Sequence, residues 1–578
     1  MDGKYPDFYK GVDISSLPQN REEGMQVRDF DGTAAEPLSL LRKYGVNSVR
    51  LRIWKKPENV PESGGYCNLE HTLAMAKEIK AQGMHFLLDF HYSDFWADPS
   101  SQRKPKDWEG LGFEELEQAV YEYTKETLLA LKQEGAMPDM VQIGNEIRSG
   151  LLFPDGELPD YVHMVRLVNA GIRGAREAAG EESMQVMIHL DQGGRYFYLK
   201  EWFSQAFAHG LEDFDIIGVS YYPFWHGSFP DLKDTLERLV KDYGKPVIVA
   251  ETAYAWRRSR NGFIDEVQEK IAGLPASPQG QAKELELMMN IVASLPEEKG
   301  LGVYYWEPLC IPQEGKGGWE ENMGLLTESG QLTEGIKVFG FTREKLHGTD
   351  YAKVYEPHPV VVRPGQPAEL PAELAVLCYD GTVIRRKVIW ESMPEAETGQ
   401  ADGYWAAGRA EGIQEPVSVY VKIAEGGGEE ENLLSDGNWD EGMAQWESES
   451  SGEEVLAQIV PEFPEPFPAP PVNALRVEGK KNFSYRISQK VPVARPGRYC
   501  LSVEFRGTDT TNVDIRLFAR FEEECRETVI HPSEHGWEEY QAEIGVCREG
   551  HLTVGIRMQS PPNYGMMRKF GLLWVGDL

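Results

Sequence analysis

The chain has 578 residues, of which 41% are hydrophobic and 26% charged, and its formal net charge at pH 7 is −34. This is the composition of a folded multidomain protein and not of a disordered one, and no run approaches the ~18 consecutive apolar residues of a membrane-spanning helix. So acidic a surface repels phosphate backbones and anionic membranes, which excludes nucleic acid and membrane as expected partners and favours a neutral or cationic ligand.

The opening Met1-Asp-Gly-Lys-Tyr-Pro6 shows no basic stretch followed by an apolar one, so it reads as either a cytoplasmic chain or a mature extracellular form. From Tyr9 to about Gly340, strand-like runs alternate with helical patterns. The predicted strands are Tyr9–Ile14, Val46–Ile53, His85–His91, Met140–Glu146, Gln185–Asp191, Phe214–Tyr222, Pro246–Thr252 and Gly302–Pro308, with helices such as His71–Gln82, Glu114–Glu134 and Tyr161–Ala179 between them. Eight such units predict a (β/α)8 TIM barrel over residues 1–350. A doubly wound sheet is disfavoured because no Gly-rich nucleotide fingerprint follows the first strand and no P-loop occurs.

Past Tyr351 the pattern becomes all-β. Runs at Val360–Val362, Leu374–Tyr379, Arg385–Trp390 and Val417–Ile423 predict a small β-sandwich over 351–424. The Gly/Glu-rich 425–431 reads as a linker. Runs at Tyr499–Phe505, Val513–Phe521, Gln541–Val546 and Leu552–Met558 predict a second, jelly-roll-type sandwich over 432–578. Six cysteines (Cys67, Cys310, Cys378, Cys500, Cys525 and Cys547) form no Cys-x-x-Cys pair, and no histidine cluster has ligand spacing. Buried free thiols are expected, with one C-terminal bridge left open, and no metal site.

The strand ends carry the chemistry. Period-two alternation places Arg50, Arg52 and Trp54 on one face of the second strand, Asp89 and His91 on one face of the third, Gln142, Gly144 and Glu146 together on the fourth, and Val249 with Glu251 on the seventh. In a barrel these polar faces converge at the C-terminal mouth, where barrel enzymes place their sites. Glu146 and Glu251 lie three βα units apart, and two facing carboxyls are what glycoside hydrolysis needs: one protonates the leaving oxygen and the other acts on the anomeric carbon. Either glutamate alone reads better as a surface residue at a strand–helix turn, and it is the pair, each on an inward face beside polar company, that points to function.

Seven stretches occur in order across the barrel: Lys10-Gly-Val-Asp-Ile-Ser-Ser-Leu17, Val49-Arg-Leu-Arg-Ile-Trp54, Leu88-Asp-Phe-His-Tyr-Ser-Asp-Phe-Trp-Ala-Asp98, Gln142-Ile-Gly-Asn-Glu146, Gly218-Val-Ser-Tyr-Tyr-Pro-Phe-Trp225, Val249-Ala-Glu-Thr-Ala-Tyr254 and Val303-Tyr-Tyr-Trp-Glu-Pro308. Together they resemble glycoside hydrolase family 53, the retaining endo-β-1,4-galactanases of clan A. The resemblance implies Glu146 as general acid/base and Glu251 as nucleophile, acting on β-1,4-galactan without a cofactor. Beside it stand physical expectations. Glu251 and partial burial should raise the Glu146 pKa, and Arg52 should be the cation beside Glu251, with Arg50 a layer deeper and structural. Asn145 should bond the sugar 2-hydroxyl, and Tyr222 should orient Glu251 or else be a core tyrosine. Trp306, Trp225, Trp96 and Trp108 are candidate sugar platforms, with His91, Asp94 and Asp98 nearby.

Some bacterial relatives hold calcium between the loops after strands seven and eight. Here the loop Ala255-Trp-Arg-Arg-Ser-Arg-Asn-Gly262 is cationic, so no calcium is expected there. The region from Pro364 to Trp390 resembles a bacterial Ig-like domain. The last block, with Trp439, Trp446 and Trp537, resembles a family 61 carbohydrate-binding module, in which those tryptophans or Tyr564 stack on sugar or fill the core. The alternatives are a clan A enzyme cutting mannan, xylan or glucan, and a barrel that binds polysaccharide without cutting it. A monomer acting on polysaccharide outside the cell is the expected setting.

Overall fold

In the computed structural model the described residues are 6–578 apart from 259–263, 265–267, 270–271, 311–318, 356, 358–359, 363–366, 369, 392–402, 424–431, 440–441, 453–454, 463–471, 480, 509–512, 534–535 and 562. The expected linker at 425–431 and most of the cationic stretch after Arg258 lie outside them. Two compact units emerge: Met1–Thr349 with Tyr379–Gly381, and Asp350–Cys378 with Thr382–Leu578.

The first unit is a closed barrel of eight parallel strands: β1 (Tyr9–Asp13), β2 (Ser48–Ile53), β3 (His85–Phe90), β4 (Met140–Ile143), β5 (Gln185–Leu190), β6 (Ile216–Ser220), β7 (Val247–Thr252) and β8 (Gly300–Trp306), each beside the next and β8 closing on β1. All eight predicted strands are present. Their C-terminal ends stop one to three residues short of prediction, except in β2 and β7, because the chain leaves the sheet to build the mouth. Around them lie α1 (Pro37–Lys43), α2 (Leu69–Ala81), α3 (Phe113–Gln133), α4 (Tyr161–Ala179), α5 (Tyr196–Ala208), α6 (Phe229–Tyr243) and α7 (Pro278–Ala293). After β8 a 3-10 run, Glu334–Gly340, takes the place of the eighth helix. Helix ends follow local chemistry. Ser228 and Asp231 form a capping box that starts α6, and Gly244, at φ +66°, ends it in a left-handed turn that an L side chain rarely adopts.

Inside the barrel, Tyr9, Leu87, Met140, Met187, Ile216, Ile248, Ala250, Leu301 and Tyr304 form an apolar floor. The Tyr304 hydroxyl is paired with Ser48 Oγ at 2.7 Å.

In the second unit, six strands between Tyr351 and Ile423 join into one sheet. Its pivot is Val383–Trp390, which pairs with Glu373–Leu377 along its first half and with Gly408–Ala410 along its second. Two strands of this sheet were not anticipated, Tyr351–Val354 and Gly403–Ala410; the second alternates exposed and buried residues, but with Gly and Ala inside it gives a weak apolar signal. Between Glu447 and Gly576, ten strands form two five-stranded antiparallel sheets over a core that includes Trp439, Trp446 and Phe570. Trp439 and Trp446 are 1% and 5% exposed, so neither is free to stack on a sugar. Trp537 is partly exposed, with the Arg568 guanidinium 4.1 Å from its ring centre. All six cysteines are free, leaving no C-terminal bridge, and Cys547 is exposed while Cys500 and Cys525 are partly so.

Candidate active site

Arg50 is the centre of the site. Projecting inward from β2 and 1% exposed, it uses all five of its N–H groups. Nη1 donates to Asp13 Oδ2 and to Glu251 Oε2, both at 3.0 Å. Nη2 donates to Asp89 Oδ2 and to Asn145 Oδ1, both at 2.8 Å, and Nε reaches Gln142 Oε1 at 3.3 Å. Three buried carboxylates around one guanidinium raise its pKa and lock its charge.

This corrects the expected pairing. Arg52 lies two residues further along the strand and pairs with Glu307 Oε1 at 2.7 Å and Ser16 Oγ at 3.0 Å, while its guanidinium packs 4.1 Å from the Trp96 ring centre. The residue read as merely structural, Arg50, is the one that touches Glu251.

Neither glutamate reaches the site by simple alternation. Ile248 and Ala250 face the barrel floor, so Glu251 should point outward toward the helices. A register shift on β7 prevents this: Val219 pairs with Val249, but the next residue, Ser220, pairs with Glu251. The extra residue is a bulge that turns Glu251 inward. Glu146 lies beyond the end of β4. Gly144 at φ +80° and Glu146 at φ +48° carry the chain through two left-handed positions before a short 3-10 turn at Ile147–Ser149. Left-handed backbone at a glutamate is disfavoured by about 1–3 kcal/mol, the kind of strain that clusters at functional sites.

The two carboxyls have opposite surroundings. Glu251, 9% exposed, accepts the Tyr222 hydroxyl on Oε1 at 2.8 Å and Arg50 on Oε2 at 3.0 Å. Burial leaves its pKa raised, with Arg50 and Tyr222 pulling it only part of the way back. Burial also raises Glu146, and the negative charges of Glu251 and Asp191 raise it further, well above the usual carboxyl range; the nearby Ser220 and Arg50 oppose this. Of the pair, Glu146 keeps its proton to higher pH and Glu251 is the one that ionises.

Tyr222, with its pKa raised well above the usual value by burial and then by Glu251, stays a hydrogen-bond donor. The Asn145 side chain is committed on both ends, since Nδ2 donates to the Ala97 carbonyl at 2.8 Å while Oδ1 receives Arg50. Its second N–H is the group left for a ligand. Two other sequence candidates serve the scaffold. His91 Nδ1 accepts from Trp54 Nε1 (3.1 Å) and Ala97 N (3.2 Å), and its Nε2 meets Asp89 Oδ2 (3.1 Å). Asp94 spends both oxygens on Lys56 N, Asn59 Nδ2 and Lys106 N, which pins two loops together.

Aromatic rings form the rim. Trp96 and Trp225 are 36% and 41% exposed. Trp96 meets Trp306 edge-on at 5.9 Å, Trp306 meets Trp319 at 4.5 Å, and Tyr222 meets both Trp225 and Trp319 at 5.5 Å. Trp108 is 5% exposed and packs on Tyr123, so it is a core residue and no platform. Sequence reasoning missed Trp319, which follows a stretch with no periodic pattern, and the polar groups Asp13, His189, Ser220 and Glu307, whereas Gln142 stands on the inward face of β4 as expected. Inward alternation on β1, β5 and β6 marks the first three in retrospect. Glu307 has no such signal, because it enters through a left-handed turn at φ +48°. Among the described residues no cluster of His, Cys, Asp and Glu could hold a metal ion.

A parallel barrel that aims two unequally surrounded glutamate carboxyls into one tryptophan-rimmed mouth has the site of a glycoside hydrolase. More narrowly, the chain belongs to glycosyl hydrolase family 53, whose family model matches residues 9–339. It is similar to the arabinogalactan endo-beta-1,4-galactanase of Thermothelomyces thermophilus, 34% identical over 338 residues, covering 57% of this chain and 98% of that protein. It is also similar to the endo-beta-1,4-galactanase of Bacillus subtilis (strain 168), 37% identical over 334 residues, covering 56% of this chain and 75% of that protein. Among solved structures, the Ignisphaera aggregans GH53 catalytic domain matches with a TM-score of 0.54 at 36% identity, covering 58% of this chain and 95% of that one.

Proposed function

We propose that the chain is a retaining endo-β-1,4-galactanase in which Glu251 is the nucleophile and Glu146 the general acid/base. The observation that carries this reading is the unequal dressing of the two carboxyls: Arg50 and Tyr222 hold both oxygens of Glu251, while Glu146 faces like charge from Glu251 and Asp191. Glu251 attacks the anomeric carbon as Glu146 passes its proton to the departing glycosidic oxygen, which leaves a galactosyl–Glu251 ester. Glu146, now a carboxylate, takes a proton from water; the water oxygen displaces Glu251 and releases a product of unchanged anomeric form. A β-1,4-galactan substrate is supported by the activities named for the two galactanase relatives and by the Ser220-Tyr-Tyr-Pro-Phe-Trp225 run. Trp96, Trp225 and Trp306 supply the apolar face on which galactose rings stack, and the free Asn145 N–H meets the 2-hydroxyl.

The barrel occupies residues 1–350 in this reading. An Ig-like spacer spans 351–424 and a family 61-like galactan-binding module spans 432–578, both resting on the sequence motifs alone. A polymeric substrate implies work outside the cell, and a monomer suffices because every group invoked comes from one chain. The test is hydrolysis of purified β-1,4-galactan by wild type and by Glu251→Ala, with and without azide. Wild type should release short oligosaccharides, and azide should rescue the variant as a galactosyl azide of opposite anomeric form. A wild type that ignores galactan but cuts mannan, xylan or glucan would overturn the substrate assignment, and inertness on all four would overturn the enzymatic reading.

A further inference from the structure

The two arginines of β2 are used in opposite ways. Arg50 commits every N–H to the polar cluster around Glu251, whereas Arg52, 4% exposed, makes two side-chain hydrogen bonds among the described residues, and its Nε has no partner. Nη1 donates to Glu307 Oε1 at 2.7 Å, and Nη2 donates to Ser16 Oγ at 3.0 Å. The flat face of the group goes to aromatic rings: the guanidinium carbon lies 4.1 Å from the Trp96 ring centre and 5.3 Å from that of Trp54. Among the described residues no hydrogen bond joins Arg52 to Glu146 or Glu251; the other carboxylate within reach is Asp13, whose Oδ1 is 4.0 Å from Nη1.

The two Nη contacts fix the plane of the guanidinium. Ser16 Oγ accepts from Arg52, so its single hydrogen goes to Glu307 Oε1, 2.8 Å away, and Ser16 N donates to the same oxygen at 3.2 Å. Arg52, Ser16 and Glu307 thus close a ring of hydrogen bonds that leaves the guanidinium little freedom to turn. Both ends of the ring are anchored in the barrel, since the Arg52 backbone N–H donates to Ser15 Oγ at 2.8 Å and that of Glu307 to the Asp13 carbonyl at 2.9 Å. A cation held in this way attracts the electron-rich face of an indole. Trp96 lies against it, in T-shaped contact with Trp54 at 5.4 Å and with Trp306 at 5.9 Å. What remains of Trp96, 36% of its surface, opens to solvent. Glu307 directly follows Trp306, so the carboxylate that clamps Arg52 also pins the turn at the end of the strand that carries this second tryptophan.

We propose that Arg52 is a positioning residue for Trp96: clamped by Glu307 and Ser16, its guanidinium backs the indole and holds it in the orientation in which a sugar ring stacks on the exposed part. This rests on the proposed function, in which Trp96 is a sugar platform. An exposed indole with nothing behind it must be ordered when substrate binds, and that ordering weakens affinity. With Arg52 in place the ring is already ordered in the free enzyme. Because Arg52 bonds neither catalytic carboxyl, its effect is the same on bound substrate and on transition state, so it belongs to KM and not to kcat. The position calls for arginine in particular. A lysine can still meet Glu307, but it cannot at the same time lay a flat group along the indole.

The experiment is steady-state kinetics of wild type, Arg52→Lys, Glu307→Ala, Trp96→Ala and the double variant Arg52→Lys/Trp96→Ala, on whichever β-1,4-glycan the wild type cuts, each beside a thermal melt. Arg52→Lys should raise KM about tenfold and keep kcat within about twofold of wild type. Glu307→Ala, which unclamps the guanidinium, should raise KM in the same way. Trp96→Ala should raise KM by at least as much, and adding Arg52→Lys to it should raise KM no further, because Arg52 acts through Trp96. A purely structural role would lower the melting temperature without this pattern in KM. An unmoved KM in Arg52→Lys overturns the inference, as does a fall in kcat larger than the rise in KM, or an Arg52→Lys effect that persists in full without Trp96. Should Glu307→Ala fail to fold, Arg52→Lys and the double variant decide the matter. A wild type inert on every glycan tested defeats the proposed function. An active wild type whose Trp96→Ala variant keeps its KM defeats the platform and this inference with it, whereas a raised KM in Trp96→Ala beside an unmoved Arg52→Lys defeats this inference alone.

Discussion

Removing the Arg50 guanidinium is the sharpest perturbation of the site. In Arg50→Met the side chain keeps much of its volume but loses five hydrogen bonds and the cation shared by Asp13, Asp89 and Glu251. A unit charge pair about 4 Å apart is worth about 4 kcal/mol at an effective dielectric of about 20, or roughly three pKa units on Glu251. Water entering the gap and relaxation of Asp13 reduce this, and a rise of about two units is expected. Because Glu251 must be ionised to attack, the acid limb of kcat/KM should move up by that amount, and activity on the acid side of the profile should fall about 100-fold. Two further buried carboxylates lose their partner, so stability should fall by about 3–5 kcal/mol, the usual effect of breaking a buried ion pair from one side. The assay is a pH–rate profile from pH 4 to 9 beside a thermal melt, with Arg50→Lys as companion. Lysine restores the charge without the planar fork, so its acid limb should lie between those of wild type and Arg50→Met. A uniform loss across pH with an unmoved acid limb in Arg50→Met would refute the electrostatic role and leave Arg50 a structural residue.

Two further outcomes follow from single contacts. Tyr222→Phe deletes the hydroxyl bonded to Glu251 Oε1 at 2.8 Å; kcat/KM should fall about tenfold or more, and the acid limb should rise by less than in Arg50→Met, whereas a change confined to KM would make Tyr222 a sugar contact instead. Glu284 on α7 has no exposed surface and its Oε1 accepts the Thr252 hydroxyl at 3.0 Å, with burial pushing its pKa up to about 8. The folded state therefore keeps a proton that the unfolded chain releases above ~4.3, so this group's contribution falls as pH rises from there to about 8 and is constant beyond. Glu284→Gln should gain melting temperature relative to wild type as pH rises from 5 to 8.5, and a difference that stays constant over that range would refute the assignment.

The barrel was legible because its signals are periodic. β-rich runs of strand length separated by amphipathic helices admit few arrangements, and the predicted strands overlap the observed ones in all eight cases. What alternation could not supply was height. Arg50 and Arg52 share a face and differ by two residues, or about 6.6 Å along the strand. Which of them meets Glu251 depends on how deep Glu251 sits, and that is set by the register shift between Val219 and Ser220, a feature of the pairing between β6 and β7 and not of either strand's own residues. Reading Val249 and Glu251 as one inward face therefore placed the glutamate correctly at the mouth for the wrong reason: Ile248 and Ala250 line the interior, and the bulge brings Glu251 to join them.

The same holds wherever the site is assembled. Glu146 and Glu307 stand at φ +48° just past the ends of β4 and β8, and Tyr92 at φ +50° just past β3. These strand ends leave the sheet through left-handed turns that no propensity argument favours for a glutamate or a tyrosine. Each turn is held by tertiary contacts. The Glu307 carboxylate is tied to Arg52 and Ser16, and the Tyr92 hydroxyl to Thr124. Such positions persist only where the surroundings over-determine them. Local periodicity thus locates the mouth of the barrel, and the residues where periodicity breaks decide which carboxyl meets which cation. In this chain that choice is made by Arg50, whose five bonds tie β1, β2, β3, β4 and β7 together through one guanidinium, so the group that tunes Glu251 also holds the strand ends in register.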